Sequence, residues 1–275
     1  MPLPSRYEGG KYLMPEIYAM YFSATGTTEK IVTCIADALC GSAAVRYDFT
    51  LPDARKEPAV FTPNDTVVFG TPVYAGRVPN VLLKYLNTIQ GNGARAVPVA
   101  VYGNRNYDDA LMELTQILTK DGFRCIAAAA FIGEHSFSYI LGAGRPDEAD
   151  LEKARAFAAG IDLSAEGPVR VNGNDPIGGY YQPRDRYGNA INILKVKPLT
   201  SDACIGCGLC ARVCPMGSID PADVRQFTGI CIKCGACVKK CPAGAKHYDD
   251  AGYLYHKSEL EAMYERRAEP EVFYA

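Results

Sequence analysis

The sequence predicts two domains in succession, a doubly wound α/β domain with a five-stranded parallel sheet and then a small α+β domain organised by cysteines. Three observations support this prediction. The N-terminal half alternates short apolar runs with amphipathic helical patterns, as a parallel sheet covered on both faces requires. A stretch rich in glycine, proline and asparagine interrupts that alternation at 164–198. Beyond it, eight of the 11 cysteines stand in a duplicated spacing.

The elements of the first domain follow in order along the chain. Ligands of a doubly wound sheet bind beyond the carboxyl ends of its strands, so the loops there are the candidate site. Strands are predicted at 17–22, 43–49, 66–70, 96–102 and 125–132, and helices at 28–39, 79–89, 108–120 and 147–161. We therefore expect an N-terminal extension at 1–14, the α/β domain at 15–163, an ordered strap at 164–198, the cysteine-rich domain at 199–250 and a C-terminal extension at 251–275.

The amino-acid composition and net charge limit the classes of protein to which this chain can belong. Hydrophobic residues make up 48% of the 275 residues and charged residues 22%, as in ordinary globular proteins. A net charge of −2 gives no indication of a nucleic-acid or anionic-membrane partner, and no apolar stretch approaches membrane-span length. The first 13 residues lack the apolar core of a secretory signal, which predicts a cytoplasmic protein. Met14 offers an alternative translation start to Met1.

The duplicated cysteine spacing is C-x2-C-x2-C-x3-C-P, which is the ligand pattern of two [4Fe–4S] clusters. In that pattern the fourth cysteine of each run binds the other cluster. We therefore expect one cluster on Cys204, Cys207, Cys210 and Cys241, and a second on Cys231, Cys234, Cys237 and Cys214.

Two other uses of these cysteines are paired zinc sites and a disulfide framework. Zinc ribbons have separated C-x2-C pairs without a third cysteine in step, and disulfides need an oxidising compartment. The complete pattern occurring twice favours the clusters. Cys34, Cys40 and Cys125 lie in apolar periodic segments and are expected to be buried structural thiols.

The loop after the first strand reads Ser-Ala-Thr-Gly-Thr-Thr and opens directly into a helix. Hydroxyls and a glycine at a helix N-terminus predict an anion site for a phosphate group, although a well-capped helix start has the same composition. The loop lacks the lysine of a P-loop, and the chain has no G-x-G-x-x-G dinucleotide motif. The candidate phosphate-binding residues are Ser23, Thr25, Gly26, Thr27 and Thr28.

Two further loops bring tyrosine and glycine to the same edge of the sheet. Aromatic side chains facing a shared crevice suit a planar apolar ring such as a flavin. The residues after the third strand are Thr71, Pro72, Tyr74, Ala75, Gly76 and Arg77, and those after the fourth are Tyr102, Gly103, Asn104 and Tyr107.

With these loops, the region from Pro15 to Ile161 resembles a flavodoxin, which implies FMN as the ligand. The resemblance implies that the 23–28 loop binds the phosphate and that Tyr74 and Tyr107 flank the isoalloxazine ring. It also implies that the backbone of Ala75 and Gly76 faces flavin N5 and that Arg77 approaches the pyrimidine end. Ala24 departs from the family, since many flavodoxins carry a hydroxyl there, and Val32 is larger than the usual residue.

The whole chain from 14 to 250 resembles the flavodoxin–ferredoxin fusion family of anaerobic microbes. This implies an electron-transfer protein that passes electrons between two [4Fe–4S] clusters and FMN, with a redox partner protein or a small-molecule donor or acceptor. The alternative is an enzyme, an FMN-dependent reductase of a small organic substrate that the clusters supply with electrons. The sequence does not specify the oligomeric state.

Three further features bear on function. His135 follows the fifth strand and is a candidate catalytic proton donor, or alternatively a loop histidine bonded to the backbone. Aromatic and basic residues at 180–187 favour a strap that clamps the two domains together, with a substrate pocket as the alternative. Residues 199–250 carry six basic and five acidic side chains. Because free ferredoxins are typically acidic, we expect the tethered flavin domain to be the main partner of this module.

Overall fold

Parallel strands form the centre of the first domain, and the computed structural model describes residues 16–275. The strands are β1 (Ile17–Tyr21), β2 (Val45–Asp48), β3 (Thr66–Pro72), β4 (Arg95–Tyr102) and a fifth that is divided into β5 (Arg124–Cys125) and β6 (Ala127–Ile132). Their order is β2-β1-β3-β4-β6, with β5 also paired to β4. All these pairs are parallel. The predicted fold class is confirmed, and its topological switch point lies between β1 and β3.

Helices cover both faces of this sheet, as the near-continuous apolar strands predict. The helices are α1 (Thr27–Cys40), α2 (Asn80–Leu86), α3 (Ala110–Lys120) and α4 (Glu148–Ala159), and a 3-10 turn spans Pro52–Arg55. Along β1, Tyr18 and Met20 enter the core beneath α2 and α3, whereas Ala19 and Tyr21 enter the core beneath α1 and α4. This alternation is the period of two that a strand imposes.

Val32 on α1 packs against Gly70 of strand β3. A Cβ atom at Gly70 would lie 2.2 Å from Val32 Cγ2, so no larger residue fits at 70 without displacing that side chain. Gly70 is the last residue of β3 that pairs with β1, where it faces Tyr21. The large residue at 32 is therefore compensated within the core, and α1 remains packed on the sheet directly below its N-terminal loop.

The cysteine-rich domain contains little regular structure. It has a two-stranded antiparallel sheet, β7 (Leu199–Thr200) with β8 (Lys246–His247), and two one-turn helices, α5 (Leu209–Arg212) and α6 (Ala236–Lys239). Each short helix follows a glycine with positive φ, Gly208 at 67° and Gly235 at 77°. Glycine adopts this conformation without steric cost, which lets the cysteine runs turn tightly.

The C-terminal residues return to the first domain, which the sequence did not lead us to expect. Helix α7 (Ala251–Met263) is followed by β9 (Glu271–Tyr274), which pairs antiparallel with β6 at the edge of the large sheet. The segment between them is bound by Asn104, whose side-chain amide donates to the carbonyls of Tyr264 and Arg266 at 2.7 Å. Residues 251–275 are thus part of the α/β domain's sheet and its surroundings.

The remaining predictions concern the three single cysteines, membrane-spanning helices and the N-terminal extension. Cys125 is buried and Cys34 is half-buried, but Cys40 is exposed at the end of α1, so its predicted burial is wrong. Among residues 16–275, no helix is long and apolar enough to cross a membrane. The predicted N-terminal extension and the alternative start at Met14 lie outside the described residues.

Candidate functional site

A cavity of about 450 Å³ opens at the carboxyl ends of the parallel strands. The loops after β1, β3, β4 and β6 meet there because parallel strands end at the same edge of the sheet. One further residue comes from the cysteine-rich domain, namely Cys234. The predicted site residues that line the cavity are Thr25, Thr27, Thr28, Pro72, Tyr74, Tyr102, Gly103 and His135.

The threonine side of the cavity has the donor chemistry of an anion site. Thr27 and Thr28 form the first turn of α1, whose leading backbone N–H groups have no partner within the helix. Ser23 serves the helix instead of the cavity, because its Oγ accepts from Glu29 N at 2.9 Å. Ala24 lines the cavity without a hydroxyl. Three threonine hydroxyls and a helix N-terminus fit a phosphate group.

The loop after β3 is a tight turn that places Tyr74 beside the cysteine-rich domain. Tyr74 N donates to Arg77 O at 2.9 Å and Arg77 N donates back to Tyr74 O at 3.1 Å. Ala75 and Gly76 between them have φ of 51° and 77°, the backbone of a type I′ turn. Burial, together with the neighbouring Cys234 and Cys231 thiolates, raises the pKa of Tyr74 well above its usual value.

Several predicted site residues lie away from the cavity. Arg77 forms a bidentate ion pair with Glu113 and also donates to Gly178 O. Tyr107 is buried against Tyr102, and its hydroxyl donates to Glu271 at 2.7 Å. Asn104 binds the C-terminal segment, and Thr71 is fully buried with no hydrogen-bond partner for its hydroxyl among the described residues. Gly26, Ala75 and Gly76 also do not line the cavity.

His135 lines the cavity but is held as a neutral imidazole. Burial, with smaller contributions from His256, Lys239 and Arg105, lowers its pKa to about 3. Its Nδ1 accepts from the backbone N–H of Phe137 at 3.1 Å, so the proton of the neutral ring is on Nε2. A ring that is neutral at physiological pH cannot serve as an imidazolium acid, although it can donate a hydrogen bond.

The eight cysteines of the duplicated spacing surround two separate cavities of about 330 Å³ each. Each cavity combines three cysteines of one run with the fourth cysteine of the other run. Four thiols around one apolar cavity fit the ligand chemistry of an iron–sulfur cluster. Cys204, Cys207, Cys210 and Cys241 line one cavity, and Cys214, Cys231, Cys234 and Cys237 line the other.

The second of these cavities faces the α/β domain. Cys234 and Cys237 are buried, whereas Cys207 of the other set is exposed. Cys234 and the fully buried Ala236 belong to the same apolar core as the α/β domain residues beneath α2 and α3. The cysteine-rich domain therefore packs against the carboxyl ends of the parallel strands. The set that contains Cys234 faces the α/β domain, and the set that contains Cys207 faces solvent.

Polar contacts hold the cysteine-rich domain against residues 134–139 of the α/β domain. These contacts were not predicted from the sequence. Lys239 on α6 pairs with Glu134, donates to Ser138 O and stacks 4.1 Å from the ring centroid of Tyr139. On the other side, Arg55 donates to Pro215 O at 2.6 Å. No local sequence signal could pair these residues, because they are about 100 or more positions apart.

The backbone of Gly235 lies close to the α/β domain, and its replacement by alanine is expected to weaken the docking. The new Cβ would lie 2.6 Å from Ser136 O, so the two backbones must separate. We expect a loss of about 1–3 kcal/mol from this overpacking, beyond the cost of a positive φ. Urea denaturation of the full chain measures it.

Gly244→Ala is the matched control for this substitution. Gly244 has a similar φ of 60° and no atom within 4 Å of its would-be Cβ, so this variant isolates the backbone strain. If both alanine variants lose the same stability, the approach of Gly235 to Ser136 contributes nothing to the docking.

The 164–198 segment runs across both domains and is bound at several points. Asp109 accepts from Asn174 N and Gly178 N, each at 2.8 Å. Tyr181 N donates to Ala75 O at 2.8 Å on the turn after β3. At its far end, Lys233 of the cysteine-rich domain donates to Leu194 O at 3.0 Å. These contacts describe a segment tied to the α/β domain at one end and to the cysteine-rich domain at the other.

Comparison with known families agrees with this division. The model of the flavodoxin domain matches residues 18–108, and the model of the 4Fe-4S dicluster domain matches residues 203–246. The chain carries a flavodoxin domain and a 4Fe-4S dicluster domain. The flavodoxin domain implies FMN and the dicluster domain implies iron–sulfur clusters, and together the two domains suggest a flavin and iron–sulfur electron-transfer protein with a redox partner.

Solved structures similar to the flavodoxin domain include three flavodoxins. A short-chain flavodoxin associated with a non-canonical PDU bacterial microcompartment is 17% identical, covering 54% of this chain and 97% of its own, with a TM-score of 0.39. A flavodoxin from the domain Archaea is 14% identical (51% and 92% covered, TM-score 0.36), and oxidised flavodoxin 2 from Bacillus cereus is 16% identical (52% and 95%, TM-score 0.39). No curated protein matches the chain.

Proposed function

We propose that this protein passes electrons between two [4Fe–4S] clusters in the dicluster domain and an FMN at the sheet-edge cavity. The proposal assigns one cluster to the outer set, Cys204, Cys207, Cys210 and Cys241, and one to the inner set, Cys231, Cys234, Cys237 and Cys214. It assigns the FMN phosphate to Thr25, Thr27 and Thr28, and the ring to the region between Tyr74 and Tyr102. Bound FMN supplies storage for one or two electrons.

The observation that carries this proposal is the position of Cys234. This inner-set cysteine lines the sheet-edge cavity together with the threonines and Tyr74. One side chain therefore adjoins both proposed cofactor sites. Such direct adjacency supports transfer within the chain.

The surroundings of the cavity favour electron transfer over reduction of an organic substrate. Glu134 is paired with Lys239, and His135 is neutral because its pKa is lowered to about 3. Neither group is therefore a ready proton donor at neutral pH, whereas a side-chain acid typically accelerates the reduction of an organic substrate. The exposed Cys207 supports the outer cluster as the point where an external redox partner exchanges electrons.

Anaerobic purification followed by a reductive titration tests the proposal. We expect about eight irons and one FMN per chain, and flavin that is reduced through the clusters after rapid mixing with a one-electron donor. Zinc in place of iron, or a chain that binds no flavin, would contradict the proposal. Reoxidation of the flavin by a small organic compound, with stoichiometric product, would instead establish the reductase.

A further inference from the structure

Lys246 places a buried positive charge beside the outer cysteine set. Its side chain lines the same cavity as Cys204, Cys207, Cys210 and Cys241, and the residue is only 3% exposed. Fully buried lysines are rare unless they are paired, because removing an ammonium group from water is costly.

The partners of this ammonium group within the protein are neutral. Nζ donates to Val224 O at 2.6 Å and lies 5.2 Å from the ring centroid of Phe227. Among the described residues, no carboxylate forms an ion pair with Lys246. Within residues 16–275, this buried cation therefore has no carboxylate to neutralise it.

The groups of opposite charge beside Lys246 are the thiolates that the cysteines would provide as cluster ligands. Lys246 lines the outer cavity together with Cys204, Cys207, Cys210 and Cys241, and it does not line the inner cavity. Its charge therefore acts mainly on the outer cysteine set.

We propose that Lys246 is the built-in counter-charge of the iron–sulfur clusters and makes them, the outer one above all, easier to reduce. A cluster held by four thiolates is anionic, and uptake of one electron adds one negative charge without a proton. A fixed buried cation stabilises the reduced form more than the oxidised form, and net charge is one of the factors that set cluster potentials. The inference rests on the proposed cluster assignment.

The test replaces Lys246 with methionine in the full, cluster-loaded chain and measures both cluster potentials by titration with dithionite under EPR. We expect the reduced-to-oxidised ratio of the outer cluster at a fixed potential to fall about tenfold, which is about 59 mV for a one-electron couple. The inner cluster is expected to shift less. Lys246→Arg keeps the charge and should leave both potentials near those of the unmodified protein.

Lys240→Met is the matched control, since Lys240 adjoins Cys241 in sequence but is exposed. Its effect should be smaller and should fade in 1 M salt, whereas the effect of a buried charge should persist. Equal shifts in the two methionine variants, or no shift in Lys246→Met, would overturn the proposal.

Cluster loss is also informative. If Lys246→Met and Lys246→Gln bind no iron while Lys246→Arg remains loaded, a positive charge is required and the proposal stands. If Lys246→Arg also loses its iron, the role of Lys246 is packing and the proposal fails. Failure of the unmodified chain to bind iron would instead refute the proposed function.

Discussion

Replacing Cys214 with alanine is expected to remove the inner cluster and leave the outer one. Cys214 stands in the first cysteine run, but it lines the cavity with Cys231, Cys234 and Cys237 of the second run. Iron content should therefore fall from about eight to about four per chain. Because the lost cluster would be the one beside the proposed flavin cavity, reduction of the flavin through the clusters should stop.

Cys241→Ala is the reciprocal variant. Cys241 belongs to the second run but lines the outer cavity with Cys204, Cys207 and Cys210. It should also retain about four irons, yet keep the cluster next to the flavin, so a donor that reaches the inner cluster should still reduce FMN. If each run binds its own cluster, the behaviour of the two variants will be exchanged.

Arg145→Met is expected to cause the largest loss of stability in the flavodoxin domain. The Arg145 and Asp150 side chains are 4% and 0% exposed, and the guanidinium binds both carboxylate oxygens. Removing the arginine leaves a buried carboxylate, for which a loss of about 3–5 kcal/mol is typical. Arg267 Nη2 lies 3.4 Å from Asp150 and keeps a positive charge near that carboxylate. We therefore expect a loss of stability at the lower end of this range, about 3 kcal/mol.

Arg46→Met is the control for that experiment. Arg46 and Asp37 form an equally direct pair, but both side chains are 38% exposed. An exposed pair contributes about 0–1 kcal/mol, so this variant should unfold nearly as the unmodified chain does. The measurement is urea denaturation followed by circular dichroism. Similar losses in both variants would show that burial of the Arg145 pair is energetically unimportant.

Local patterns in the sequence predict the five parallel strands and their helices well. Apolar runs such as 127–132 can be recognised as strands because every residue in them is buried in the sheet. β9 escapes prediction because it has four residues, none fully buried, and pairs with a strand more than 140 positions earlier. Nothing in a short exposed run specifies so distant a partner.

The same limit applies to the candidate site. The helix N-terminus after β1 is recognisable because its chemistry lies within six consecutive residues. Arg77 and Tyr107 are different, since their partners Glu113 and Glu271 lie 36 and 164 positions away. Cysteine spacing likewise predicts two clusters, but only the packing of Cys234 against the sheet edge distinguishes an inner from an outer set.

Strand β9 also changes how the dicluster domain is attached. Because the chain leaves the large sheet after α4 and re-enters it at β9, the dicluster domain is an insertion held at both ends and not a terminal appendage. A module on one linker can swing away from its neighbour, whereas two anchors restrict its excursions and keep the local concentration high. Cutting the chain before 199 to isolate a free flavodoxin would therefore also strip an edge strand and expose the backbone of β6. The two modules are best separated by excising the insert and rejoining the strand.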